Sequence, residues 1–217
     1  GGAQPRASAD GRLLLTFNGE IFNYVELRAE LIRKGHVFRT SSDTEVLLRL
    51  LTLEGPSALH RVRGMFALAL WDQARGTLTL ARDRFGMKPL YVAARDGRLA
   101  FASEVGALRR AGLVPRQISP AGVLAYLAWA SIPAPLTWLE GVEMLEPGMW
   151  RTWSRDGRDE SGRFADVTRI YMGDDVDASV DELRQMTADA VRDSAARRSV
   201  DLPVGVAGAG DPHGAES

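Results

Sequence analysis

Met65-Phe66-Ala67-Leu68-Ala69-Leu70-Trp71 is apolar from end to end, a run of strand length with no polar position inside it. A strand with one face in water alternates polar and apolar residues, so an unbroken run needs cover on both faces. Three further strand-length runs follow, Thr77–Arg82, Leu90–Ala94 and Arg98–Ala102. Turn residues separate them at Asp72–Gly76, Asp83–Pro89 and Asp96-Gly97. Short strands spaced this way predict an antiparallel meander. Helices to cover it are expected at Glu104–Arg110 and Pro120–Trp129, giving layers of helix and sheet.

Upstream, Arg12–Phe17 reads as a strand that stops at Asn18-Gly19, a strong two-residue turn signal. Asn23 can cap a helix beginning near Tyr24, with Leu27, Leu31 and Ile32 at helical spacing and Gly35 as terminator. His36–Arg39 reads as a brief strand. Ser41-Ser42-Asp43 offers cap oxygens to a second helix, Thr44 to about Leu53, closed by Glu54-Gly55. Downstream, the prolines of Ser131–Pro135 break the pattern and Gly148–Ser154 looks like a strand. Asp156–Asp177 is polar and turn-rich. A helix is expected from Ser179, with Val180, Leu183, Met186, Ala190 and Val191 on one face, then a strand at Leu202–Val206 and a glycine-rich tail. Trp129, Trp138, Trp150 and Trp153 are expected to pack in the interior.

A length of 217 residues suits one domain, or one domain with part of a second. Apolar residues make up 45% and charged residues 25%, the balance of a globular protein. Cysteine is absent, which excludes disulfides, cysteine-ligated metals and a cysteine nucleophile in this chain. A net charge of −1 leaves no electrostatic footprint for nucleic acid or an anionic membrane surface. No apolar run approaches the roughly 20 residues of a membrane helix, and no secretory leader is expected. The cytoplasm is the expected compartment. His36, His60 and His213 lack ligand spacing, so no metal site is expected.

The chemistry-bearing residues cluster near the first strand. Asn18-Gly19 can present a side-chain amide and a main-chain N–H at one point, the two donors an oxyanion hole requires. Glu20 and Asp43 can then accept from a cationic group such as a substrate ammonium. The same residues also read as a turn, a solvated glutamate and a helix cap, and spacing alone does not choose. Arg82-Asp83-Arg84 reads as a turn between strands with internal ion pairs.

Several longer motifs carry a resemblance. Phe17-Asn18-Gly19-Glu20-Ile21-Phe22-Asn23-Tyr24 resembles the Asn-Gly-Glu stretch of class II glutamine amidotransferases, particularly the asparagine synthetase family. Ser42-Asp43-Thr44-Glu45-Val46, Gly64-Met65-Phe66-Ala67, Trp71-Asp72, the run Ala81–Tyr91 and Phe101-Ala102-Ser103-Glu104 are similar to that family in the same order. The resemblance implies an α+β fold of the N-terminal-nucleophile hydrolase type, a four-layer α-β-β-α sandwich with mainly antiparallel sheets. It implies an oxyanion hole at Asn18 and Gly19 and glutamine binding by Asn18, Gly19, Glu20 and Asp43. In such enzymes a first-residue cysteine attacks the glutamine amide, and an ATP-using domain receives the ammonia and amidates aspartate.

Two departures accompany the resemblance. The nucleophile is missing, and the chain is expected to begin a few dozen residues after it. Pro203-Val204-Gly205-Val206 looks like the strand before the family's ATP loop, but Ala207-Gly208-Ala209-Gly210-Asp211-Pro212 follows. Asp211 would repel phosphates and Pro212 removes an N–H donor. The expected organisation is a glutaminase domain over 1–155, a linker over 156–178 and, over 179–217, a short α/β remnant of a synthetase domain. The parent protein is expected to hydrolyse glutamine and transfer ammonia to an ATP-activated carboxylate, with ATP and Mg2+ as its cofactors. This chain alone is expected to be inactive. A non-catalytic glutaminase-like module, and an amidotransferase for another carboxylate, are the alternatives. Homodimerisation is left open.

Overall fold

The computed structural model describes residues 4–95, 97–168, 172 and 179–198, which fall into two units, Gly1–Gly173 and Asp174–Ser217. In the first unit the apolar run lies in β3 (Gly64–Asp72) and is covered on both faces. Phe66, Leu68 and Leu70 join one core, while Ala67 and Ala69 join another. The small alanines let a second sheet approach on that side.

Sheet 1 holds β1 (Arg6–Ala7), β2 (Leu13–Ile21), β3, β4 (Thr77–Arg82), β8 (Met149–Ser154) and β9 (Glu160–Arg163), adjacent in that order. Sheet 2 holds β6 (Arg98–Ala102), β5 (Tyr91–Arg95) and β7 (Glu143–Met144), in that order. Every pairing between these strands is antiparallel. Leu80 of β4 meets Leu90 and Val92 between the sheets. On the outer face of sheet 1, α1 (Tyr24–Arg33) buries Leu27 and Leu31 and α2 (Asp43–Glu54) buries Val46, Leu47 and Leu50, with a 3-10 helix at Gly55–His60 beyond them. On the outer face of sheet 2, Leu108 of α3 (Val105–Arg110) packs with Ala93, Val114, Leu139 and Val142. Backing them, α4 (Pro120–Trp129) buries Gly122 and Ala125. The layers run helix, sheet, sheet, helix, the α+β sandwich that the resemblance implies.

Four local expectations are corrected. The meander is divided, because the β3–β4 hairpin belongs to sheet 1 and the β5–β6 hairpin to sheet 2, with residues 83–90 crossing between them. β2 does not stop at Asn18-Gly19 but continues to Ile21. Gly19 has φ 153°, and a Cβ there would stand 2.0 Å from the Met65 carbonyl oxygen, so only glycine keeps the strand in register at this approach. His36–Arg39 forms no strand, since the Arg39 and Thr40 N–H groups donate to the Glu45 carboxylate instead of to a neighbouring strand. Asn23 makes no cap bond; its buried amide accepts from Arg63 N–H at 2.9 Å and donates to Arg61 carbonyl at 3.0 Å.

The tryptophans divide as well. Trp150 and Trp153 pack against the two cores of sheet 1, whereas Trp129 and Trp138 are 67% and 55% exposed. β9 lies inside the stretch that reads as a linker, where it pairs with β8. In the second unit, α5 (Val180–Arg198) begins with a reciprocal cap: Ser179 N–H donates to Glu182 Oε2 at 2.8 Å and Glu182 N–H to Ser179 Oγ at 3.3 Å. Val180, Leu183, Met186 and Val191 of its apolar stripe are exposed. The strand expected at Leu202–Val206 and the tail lie outside the described residues.

Candidate active site

β2 bonds to β3 through its even-numbered residues, with Asn18 opposite Ala67 and Glu20 opposite Met65. Their side chains share the face that looks toward sheet 2, because Phe17 and Ile21 take the opposite, core-facing side. Asn18 Nδ2 donates to the hydroxyl of Ser103, the residue after β6, at 3.2 Å. The exposed Asn18 amide is therefore held across the mouth between the sheets. The side chain of half-buried Glu20 makes no hydrogen bond or ion pair among the described residues.

The odd-numbered residues of β2 direct their main-chain groups to the other edge, and different partners fill that edge in turn. Leu15 pairs with Arg6 of β1. At Phe17 the Gln4 side chain replaces a strand residue: its amide nitrogen Nε2 donates to the carbonyl at 2.7 Å and its Oε1 accepts the N–H at 2.6 Å. At Ile21 the N–H donates to Asp43 Oδ2 at 3.0 Å. The ladder's alternation places the Gly19 N–H on this same edge, between Gln4 and Asp43.

Asp43 opens α2, and its second oxygen accepts the Thr44 N–H at 2.6 Å. Ser42 is the N-cap, accepting the same N–H at 3.2 Å. Glu45, two residues on in the same first turn, binds the Arg39 and Thr40 N–H groups at 2.9 and 2.8 Å and pairs with Arg6 at 3.1 Å. Burial pushes the Glu45 carboxyl up, but these hydrogen bonds and the arginine outweigh it and hold it below its ordinary value. Glu45 thus ties the loop before α2, and with it Asp43, to β1.

The Arg82-Asp83-Arg84 segment is a turn, but its charges serve the main chain rather than one another. Fully buried Asp83 accepts the N–H groups of Phe66, Phe85, Met87 and Lys88 at 3.0–3.1 Å. Arg82 donates to the carbonyls of Gly86, Lys88 and Leu145. Burial lowers the Arg82 guanidinium below its ordinary value, with Asp83 acting in the opposite sense. Arg84 reaches away to the His60 carbonyl at 2.7 Å.

Asn18, Gly19, Glu20 and Asp43 therefore come together at the open end of β2. Asn18 and Gly19 are consecutive, so their side-chain amide and main-chain N–H lie in one strand segment, and Asp43 is bonded to that segment two residues on. Gln4, Ser103 and Glu45 support this arrangement without having been singled out from sequence for it. Glu45 binds the Arg39 and Thr40 N–H groups rather than that of the N-cap, and Gln4 and Ser103 act through tertiary contacts that no local pattern shows. No group of three or more histidine, aspartate or glutamate side chains among the described residues could hold a metal ion. A groove of about 980 Å³ on sheet 2, lined in part by Arg98, Phe101 and Leu113, includes none of the four candidates.

Residues 1–164 match the glutamine amidotransferase domain family, and the chain belongs to it. It is 36% identical over 212 residues to the glutamine-hydrolyzing asparagine synthetase 1 of Bacillus subtilis strain 168, covering 94% of this chain and 32% of that protein. Over 146 residues it is 42% identical to a putative glutamine-hydrolyzing asparagine synthetase of Mycobacterium tuberculosis strain H37Rv, covering 64% of this chain and 22% of that one. The chain spans under a third of the length of these relatives. Among solved structures, the glutamine phosphoribosylpyrophosphate amidotransferase from B. subtilis, complexed with ADP and GMP, matches with a TM-score of 0.52 at 25% identity. That match covers 75% of this chain and 32% of the other. No helix among the described residues is long and apolar enough to cross a membrane.

Proposed function

We propose that this chain is the glutamine-binding part of an asparagine-synthetase-like amidotransferase. The observation that carries the proposal is the Asp43–Ile21 hydrogen bond, which fixes a carboxylate beside the strand segment bearing Asn18, Gly19 and Glu20. In this reading Glu20 and Asp43 hold the α-ammonium of glutamine. The Asn18 amide and the Gly19 N–H face its side-chain carbonyl and stabilise the charge that develops there when a nucleophile adds. The nucleophile is not in this chain, which has no cysteine.

The parent protein, in the same proposal, passes the released ammonia to an ATP-activated carboxylate, aspartate by similarity to the named relatives. ATP and Mg2+ belong to that second activity, and the cytoplasm is its proposed compartment. Residues 203–215 lie outside the described part, and their sequence does not suit a phosphate cradle, so no step through ATP is derived for them. The 1–155, 156–178 and 179–217 division remains part of this proposal.

A second reading is a glutaminase-like module without chemistry. Both are tested by titrating the chain with L-glutamine while recording amide and side-chain amide NMR signals. The proposal expects saturable shifts at Asn18, Gly19, Glu20 and Asp43, and none with D-glutamine. Unmoved signals at all four positions would support the module.

A further inference from the structure

We infer that Ser103 is a positioning residue for the Asn18 amide, acting on glutamine only through it; the inference rests on the glutamine-site reading above. Its basis is the hydrogen bond from Asn18 Nδ2 to Ser103 Oγ at 3.2 Å, between residues 85 apart in sequence, one in sheet 1 and the other just past the end of β6 in sheet 2. A primary amide carries two N–H donors in one plane. When a hydroxyl holds the first, the direction of the second is fixed. Without that hold, the terminal torsion of an exposed asparagine is broad.

Nothing in the strand itself supplies the hold. The residue opposite Asn18 is Ala67, whose methyl offers no acceptor. Ser103, by contrast, is placed firmly. It follows directly on the Tyr91–Ala102 pair of β5 and β6 and lies just ahead of α3, whose Leu108 is buried in the outer core. The hydroxyl thus refers the orientation of one sheet's side chain to the backbone of the other. A donor pre-set in this way loses no free energy to reorientation as negative charge grows on the substrate oxygen, which is the condition for an effective oxyanion hole.

The test uses the full chain with L-glutamine as probe, comparing wild type, S103A and S103T by side-chain amide NMR and thermal melting. In wild type and S103T, glutamine should move the Asn18 amide pair. In S103A the two Asn18 amide protons should take the values of a freely exposed asparagine, and glutamine affinity should fall about fivefold to tenfold, the range of one lost hydrogen bond. The melting temperature should stay unchanged, and recovery in S103T separates positioning from bulk structure. If S103A fails to fold, S103T against S103V, matched in shape and differing in the hydroxyl, makes the same comparison. Equal glutamine affinity and equal Asn18 response with and without the hydroxyl would overturn the role of Ser103 and leave the glutamine site standing. No glutamine response at Asn18, Gly19, Glu20 or Asp43 in wild type would overturn the site reading, and the role of Ser103 with it.

Discussion

Asp43 Oδ2 accepts the Ile21 N–H at 3.0 Å, so the first residue of a helix completes the edge of a strand 22 positions earlier in sequence. The carboxylate does here what a neighbouring strand does elsewhere in the ladder. Its orientation is fixed before any ligand arrives.

Replacing Asp43 with alanine should leave the Ile21 N–H without its partner and cost about 1–3 kcal/mol of stability. Urea unfolding measures this. The D43N variant keeps an acceptor oxygen and should retain most of the stability while losing glutamine binding. A D43N chain that binds glutamine as wild type does would remove Asp43 from the ammonium site.

Gly19→Ala places a methyl 2.0 Å from the Met65 carbonyl oxygen at a φ that alanine avoids. Main chain must move on both strands to relieve it. The expected loss exceeds about 3 kcal/mol, at the severe end of single substitutions, and is read from the urea midpoint or from failure to fold. Ala67→Gly, on the adjacent strand but without such a clash, should cost far less.

Glu45 gives a pH dependence of definite sign. Its folded pKa lies below the ordinary value, since the Arg39 and Thr40 hydrogen bonds and the Arg6 charge outweigh burial. Its contribution to stability is therefore complete above the unfolded pKa of about 4.3 and disappears as pH falls through the folded value. Thermal melts between pH 3 and pH 7, compared with E45Q, test this. The variant should be less stable at neutral pH by about 1 kcal/mol, and the gap should close in acid.

The chain alone should release no glutamate from glutamine above the uncatalysed rate. The reason is chemical: an N-terminal-nucleophile amidase of this family uses a cysteine, and the sequence contains none. A coupled glutamate assay on the purified chain decides it, and turnover that survives a second purification step would require a different nucleophile.

Amide hydrogen exchange should be faster along α5 than along β3. α5 exposes Val180, Leu183, Met186 and Val191, whereas β3 is covered on both faces. Equal protection in the two elements would show that the α5 stripe is covered in solution.

Much of this architecture was legible because burial and composition agree. The apolar run at Met65–Trp71 announced a strand between two layers, and β4, β6 and α4 have the bounds that their patterns suggest. Asn18-Gly19 misled because the dipeptide that favours a hairpin also suits a strand pressed against its neighbour, and only the partner strand distinguishes these. His36–Arg39 misled because the Arg39 and Thr40 N–H groups find the Glu45 carboxylate rather than a neighbouring strand. At the site, the four candidate residues sit in the motifs that carry the family resemblance. The parts played by Gln4 and Ser103 were not legible, since each bonds to β2 from 13 and 85 residues away.

The turn after β4 has a further consequence, one of tolerance to change. Two side chains at its base, Arg82 and Asp83, hold seven main-chain groups between them. The outermost side chains, Phe85 and Met87, are 63% and 61% exposed. The loop's path is thus written in its foundation and not in its crest. Mutational drift or library selection can rewrite positions 85 and 87 while the backbone keeps its course, which makes this a natural place for new surface chemistry to be tried without endangering the fold.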